Sequence, residues 1–540
     1  MNIKKMARTA RCVVSVIAGA LCVMACGGGG GGDGNASVSS PSLAATNAAA
    51  AAGADPAVQG ASFRGGKSPS EALALAKVAE VVAAEALLPS PDLIPGFSPA
   101  PEEDPWPWAG GQLVVVGSGV AVPAGALQVA RLQDVPWSKL PPGSLVRIAP
   151  GTYSGPLAIT ANGTAQSPIR ILSADRNQRP LILTTIDVQN SSHLRISGMQ
   201  VRPQEYSGFV IRQGSHHITV SNNLVTGGPM GINVTQGAGT GIYIVSNVID
   251  QALTHGIGIE TNGAPDAQNV ISHNTVRRSG HHGMEIRGAY WRVERNDVSL
   301  SGLAVPGTSG IHLFSGSEDE DSGHHNVIVY NISHHNVDTS LHDGNGIQVD
   351  SFCDDNVVAF NIVLGNDGHG INVYEAQNNL VFGNTTRGNS IDPNGKHGAV
   401  AEIIVGASRA RNRTRGNIVI NNIAMSTRTV VPAVYVDGRT FVQPNIIGPN
   451  LLVNAAGGTV MRWGDDIRVN TSATIDAATR TAGNVVETPL FDNLAAPLIG
   501  GMRLALPPKG EGLQLSGVSD FGGAPVQPGY SYFGAYFTRR

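Results

Sequence analysis

The sequence predicts an all-β solenoid, a coil of short strands stacked into parallel sheets, on three observations. A phrase of Gly, apolar residue, any residue, apolar residue returns as Gly231-Ile-Asn-Val, Gly256-Ile-Gly-Ile, Gly283-Met-Glu-Ile, Gly310-Ile-His-Leu, Gly346-Ile-Gln-Val and Gly370-Ile-Asn-Val. Its spacings, 25, 27, 27, 36 and 24 residues, are too short for two helices with loops and suit one coil of short strands. Asparagines recur between these markers at Asn223, Asn247, Asn274, Asn296, Asn331, Asn361 and Asn384. Composition agrees: 68 glycines with only 14% charged and 5% aromatic residues suit tight turns around a narrow aliphatic core.

From the N-terminus, Lys4, Lys5, Arg8 and Arg11 precede an apolar run from Val13 to Val23, too short to span a membrane and read as an export signal over residues 1–25. Residues 26–66, opening on six glycines after Cys26, bury too little apolar surface to order themselves and read as a flexible tether. Residues 67–111 hold one expected helix, opened by Ser68-Pro69-Ser70-Glu71 and running to Leu88, then a Pro-rich linker with Glu102, Glu103 and Asp104. The solenoid is expected over 112–430, and irregular coils with a terminal cap over 431–540.

The formal net charge of −4 provides no basic field for nucleic acid. A polyanionic partner would meet local Arg or Lys side chains or a bound cation. Of four cysteines, Cys12 and Cys22 lie in the signal and Cys26 at its end, leaving Cys353, so no disulfide framework is expected.

In each Gly phrase the apolar residues face inward, so the positions between and after them form two outward columns. The first reads Asn233, Gly258, Glu285, His312, Gln348, Asn372, and the second Thr235, Glu260, Arg287, Phe314, Asp350, Tyr374. Solenoid faces usually carry Thr, Ser and Asn. Here the charged and aromatic side chains form a patch, and the longest coil inserts Ser315 to His325, with Glu318, Asp319, Glu320 and Asp321, beside it. Glu260, Phe314, Gln348 and Asn372 are candidate substrate-binding residues. Asp343, Asp350, Asp354 and Asp355 supply the hard oxygen ligands calcium prefers, although Asp-capped turns have the same composition. His324, His325, His334, His335 and His342 match no tetrahedral zinc spacing. His255, His282, His369 and His397 each precede a Gly at one point of the coil and read as turn fillers; the Asn series reads as a ladder satisfying turn backbone.

The opening Pro150-Gly151-Thr152-Tyr153, the Gly163-Thr164 and Pro168-Ile-Arg-Ile step, and the Asn and Gly-Ile coils together resemble the right-handed parallel β-helix proteins of the pectate lyase-like superfamily. The opening is most similar to chondroitinase B and alginate lyases. That resemblance implies a single-stranded right-handed β-helix acting, as a monomer, on an acidic, uronate-containing polysaccharide. A lyase of this kind needs a cation for the uronate carboxylate, a base for the adjacent proton and an acid for the leaving oxygen. Arg287, His312 and Tyr374 offer those three types, with Glu285 beside them.

Met284-Glu-Ile-Arg287 followed by Val293-Glu-Arg-Asn-Asp resembles the strand that carries the catalytic Arg of chondroitinase B-like lyases, but the preceding coil here lacks their Lys base. Ser340-Leu341-His342-Asp343 matches the second half of the Asp-Pro-His-Asp motif of mannuronan C5-epimerases, which adds His342 to the candidates. The adjacent Asp354 and Asp355 leave glycoside hydrolysis open, and a non-catalytic carbohydrate-binding solenoid is the remaining alternative. Val23-Met24-Ala25-Cys26 resembles a bacterial lipobox. It implies lipid attachment at Cys26, and Gly27 favours the outer membrane of a Gram-negative cell.

Overall fold

The structure, a computed structural model, describes residues 110–540 apart from 176, 339–342, 393–399, 409–410, 443–444, 494–499, 510–511, 513–518, 524–529, 532, 537 and 540. The expected signal, Cys26, tether and helix at 68–88 lie outside the described residues, as do His342 and His397.

The solenoid is a right-handed parallel β-helix of three long sheets. The first holds 14 strands and the other two 13 each. One coil passes from Trp291–Glu294 in the first sheet to Asp297–Ser299 in the second and Ser309–Leu313 in the third. Neighbours pair in parallel along each sheet until Met461–Trp463 meets Ile467–Val469 antiparallel. The three-sheet stack runs past residue 430 through Ile446–Ile447 and Leu451–Asn454 to Val485–Val486, with the helix Ser472–Thr479 beside its end.

Period-2 alternation makes the core. Ile232, Ile257, Met284, Ile311, Ile347, Ile371, Ile403 and Val434 stand in register down the third sheet. All are fully buried. Each aliphatic side chain so placed contributes about 1.5–3 kcal/mol.

Corners between sheets are set by a left-handed residue followed by an amide. At the first corner Ser246, His273, Arg295, Tyr330 and Phe360 take φ between 53° and 58°, and each is followed by an Asn. Asn247, Asn274, Asn296, Asn331, Asn361 and Asn384 form a continuous ladder in which Oδ1 of each accepts from the backbone N–H and Nδ2 of the one before, at 2.8–3.0 Å. Buried turn backbone is thereby paired coil by coil. A second ladder, Asn336, Asn366 and Asn389, ends on the buried carboxylate of Glu402, which accepts from Asn389 N at 3.0 Å and Nδ2 at 2.6 Å. Burial pushes the Glu402 carboxyl up to about 8, against the Asn389 hydrogen bonds.

The C-terminal segment lies along the outside of the helix rather than only closing its end. Phe491, Leu504, Phe533 and Tyr536 cover Ile332, Ile362, Ile423 and Leu451 of the second sheet. Phe521 packs against the cluster that holds Phe382 of the first sheet with Tyr330 and Phe360 of its corner. Gly534 N donates to Asn421 O at 2.8 Å, and Tyr330 OH to Ser519 O at 3.0 Å. In these coils the first two sheets are covered, and the chemically unusual columns stand on the third.

Candidate functional site

The strand register places the first column as alternation requires: Gly258, Glu285, His312, Gln348 and Asn372 pair in succession on the third sheet. Parallel strands stand about 4.8 Å apart, so a residue can reach its diagonal neighbour on the next coil. Asp350 does this, with Oδ2 3.3 Å from Nε2 of His312.

His312 is 7% exposed. Burial disfavours its charged form, but the hydrogen bond and charge of Asp350, with Glu285 and Asp343 behind it, outweigh burial and hold its pKa above the ordinary value. Burial likewise acts to raise Asp350, yet His312 and the Ser351 N–H and hydroxyl hold it below the usual carboxylate range. Asp343 moves the other way. Burial and the charge of Asp350 push it up to about 7, while Asn345 Nδ2 donates to it at 2.9 Å. Two carboxyls beside one imidazole are thus driven apart in acidity.

Gln348 is buried, its Oε1 accepting from Ser309 Oγ at 2.6 Å and Asn345 Nδ2 at 2.9 Å. Asn372 is also buried, and its Oδ1 has no partner. Tyr374 follows Asp350 in the second column. Burial raises its phenol, and the Ser408 side chain is a hydrogen-bond partner.

Arg287 stands apart from this group. Its Nε and Nη2 donate to Glu320 Oε1 at 2.9 and 2.6 Å, and its guanidinium lies 5.3 Å from the centre of the Phe314 ring. The inserted loop does wall a cavity, of about 630 Å³. Glu260 and Arg287 line it with Glu320, Asp321 and Ser322, whereas His312 and Asp350 do not.

The four aspartates divide. Asp343 and Asp350 lie with His312. Asp354 pairs with Arg413 at 3.0 Å and accepts from Gln377 N at 2.8 Å, while Asp355, at φ 57°, forms the adjoining corner. Among the described residues, the groups of His, Cys, Asp and Glu close enough to hold a metal ion include none of these aspartates.

They centre instead on histidines that the column reading passed over. His255 Nε2 lies 3.0 Å from Glu285 Oε2 and His282 Nε2 4.0 Å. The His282 ring stacks on His312 with centroids 4.2 Å apart, and His281 lies 4.0 Å from His282. Burial dominates their titration, holding His255 and His281 down at about 4 and His282 well below the ordinary value. The turn-filling role expected of His282 is also present, since Nδ1 accepts from Ser309 N at 3.0 Å. The available signal was a His before the Gly marker on two consecutive coils, at His255 and His282.

A family model described as periplasmic copper-binding protein (NosD) matches residues 158–339. No curated protein matches the chain. Among solved structures, the A-module of a mannuronan C-5 epimerase from Azotobacter vinelandii is 14% identical, covering 59% of this chain and 87% of its own at a TM-score of 0.45. A pectate lyase is 15% identical over 80% of this chain and 97% of its own, with a TM-score of 0.42. An alginate lyase of the PL6 family is 14% identical over 62% and 53%, also at 0.42.

Proposed function

We propose that the chain acts on an acidic, uronate-containing polysaccharide laid along the third sheet, and cleaves it by β-elimination. The observation that supports this reading is the meeting of His312, Asp350 and Asp343 on that face with their acidities driven apart. In the reaction His312 takes the proton next to the uronate carboxylate. The bond from C4 to the glycosidic oxygen breaks, the C4=C5 double bond forms, and the departing oxygen takes a proton from Asp343 or Tyr374.

Asp350 orients the imidazole and favours its charged form. Nδ1 of His312 is buried and holds the ring proton of the neutral base, so the sugar is met at Nε2 once it displaces the 3.3 Å contact with Asp350. Arg287 lies two strands from Asp350 in the same column, about 10 Å away. It therefore meets a different unit of the polymer from the one that loses its proton.

A screen of the purified chain against alginate, pectate and glycosaminoglycans tests this, reading unsaturated uronate by ultraviolet absorbance with and without chelator. Unsaturated ends are expected on at least one polymer. None on any of them, with no change in uronate configuration, counts against the reading. The chelator arm tests calcium at Asp343 and Asp350.

The split between Asp343 and Asp350 favours a second reading, glycoside hydrolysis by an acid and an ionised carboxylate. New reducing ends without unsaturation would select it. Export and lipid attachment at Cys26 to the outer membrane complete the proposal, on the sequence Val23 to Cys26. Cys26→Ala should abolish the lipid mass of the mature chain and its partition with membranes.

A further inference from the structure

The imidazoles around Glu285 do more than fill space. Ligand atoms of His255, His281 and Glu285 all lie within 4.8 Å of one another, as do those of His282, Glu285 and His312. Rings that only packed a strand entry would be served as well by apolar side chains, which bury no polar nitrogen. Here Nε2 of His255, a largely buried imidazole, faces the carboxylate of Glu285 at 3.0 Å, and His281 brings a second ligand atom to the same carboxylate.

The two overlapping groups are not equivalent. His282 Nδ1 accepts the backbone N–H of Ser309, so its ring proton sits on Nε2, the nitrogen that faces Glu285. A nitrogen bearing a proton has no lone pair for a metal, which removes His282 from the ligand set. His312 has its Nε2 on Asp350. His255 and His281 remain. They come from successive coils with ring centroids 4.8 Å apart, and each has the carboxylate of Glu285 within reach.

We propose that His255, His281 and Glu285 bind a divalent transition-metal ion at the entry edge of the third sheet. Two imidazoles and a carboxylate suit zinc, copper(II) or nickel, whereas calcium and magnesium favour all-oxygen sites. The 3.0 Å between His255 Nε2 and Glu285 Oε2 allows both atoms to lie about 2.1 Å from one ion. His255 and Glu285 are 13% and 21% exposed, which leaves a path from solvent. Metal binding is read here without any polysaccharide, so its failure and a failure of turnover at His312 are distinguishable.

A second group, His193, His216 and His217, stands elsewhere on the helix. There Nδ1 of His216 and Nδ1 of His217 are 2.8 Å apart, and one ring donating to the other accounts for the contact. It serves as an internal control.

The test is zinc chloride titration of the full-length chain after chelator stripping, by calorimetry and metal analysis, on wild type, Glu285→Gln and His255→Gln, with circular dichroism melts to confirm folding. Each folded variant is expected to bind about one zinc fewer than wild type, and calcium chloride should not displace it. Cobalt(II) should give ligand-field bands in the wild type that weaken in the variants. The proposal is overturned if a folded variant binds the wild-type number of zinc ions with unchanged affinity. It is equally overturned if the wild type binds no zinc and shows no cobalt bands, a result that needs no variant at all.

Discussion

Asp350 reaches diagonally across one coil to place its Oδ2 3.3 Å from Nε2 of His312, whose register partner is Gln348. Without that carboxylate, burial governs the imidazole. Asp350→Asn should therefore carry His312 from above its ordinary pKa to below it, read by NMR titration of the ring protons. An unchanged titration would show that Asp350 does not set the charge of His312.

The alternation of the third sheet predicts a strong asymmetry between outward and inward positions. Ile371→Asp puts an unpaired charge in the core and should cost about 4 kcal/mol or more, while the partly exposed Asn233→Asp should stay within about 0.5 kcal/mol. Asn372 is no substitute for Asn233, because it is outward in phase yet only 8% exposed. Equal losses in urea melts would refute the strand phase.

Glu402 predicts a pH dependence of stability. Its folded pKa of about 8 lies above the ordinary 4.5, so its contribution is complete below about 4.5 and is lost as pH rises toward 8. Each unit of that elevation is equivalent to about 1.4 kcal/mol at high pH. Glu402→Gln cannot ionise and should flatten the fall in melting temperature between those limits. Parallel curves for the two proteins would contradict this.

Arg287 and Glu320 predict a modest effect on polymer binding. Both are partly exposed, so their ion pair is worth about 1 kcal/mol or less. Glu320→Gln should free the guanidinium and tighten binding of an acidic polysaccharide by about fivefold or less, and Arg287→Ala should weaken it, both effects fading with salt. Affinities that move together, or not at all, would remove Arg287 from the binding face.

Much of this architecture was legible because a solenoid writes its period into the chain. The Gly-apolar-x-apolar phrase fixed which residues share a column, and Glu285, His312 and Gln348 are register partners as that phrase requires. The Asn series likewise became a hydrogen-bonded ladder. Alternation fails where a strand begins, however. His255 and His282 precede their strands, and whether a turn residue faces its neighbours depends on backbone angles that composition does not encode.

Asp343 and Asp350 were grouped from the sequence as oxygen ligands, but that both stand beside His312 was hidden for the same reason, since Asp343 precedes the strand Asn345–Val349. Glu320 on Arg287 comes from 33 residues away through an inserted loop, and Phe521, Phe533 and Tyr536 return over strands far earlier in the chain, as the 189-residue separation of Tyr330 and Ser519 shows. Contacts of that range carry no local period.

The most direct measurement is turnover of a uronate polymer in D2O, followed by NMR of the products, for wild type and His312→Asn. Proton removal beside the carboxylate predicts unsaturated ends from elimination or, if the carbanion is reprotonated, deuterium at C5. His312→Asn should lower either signal by at least about a hundredfold while the fold is kept. Cleavage that yields reducing ends with neither unsaturation nor deuterium, or an undiminished rate in His312→Asn, would contradict the account.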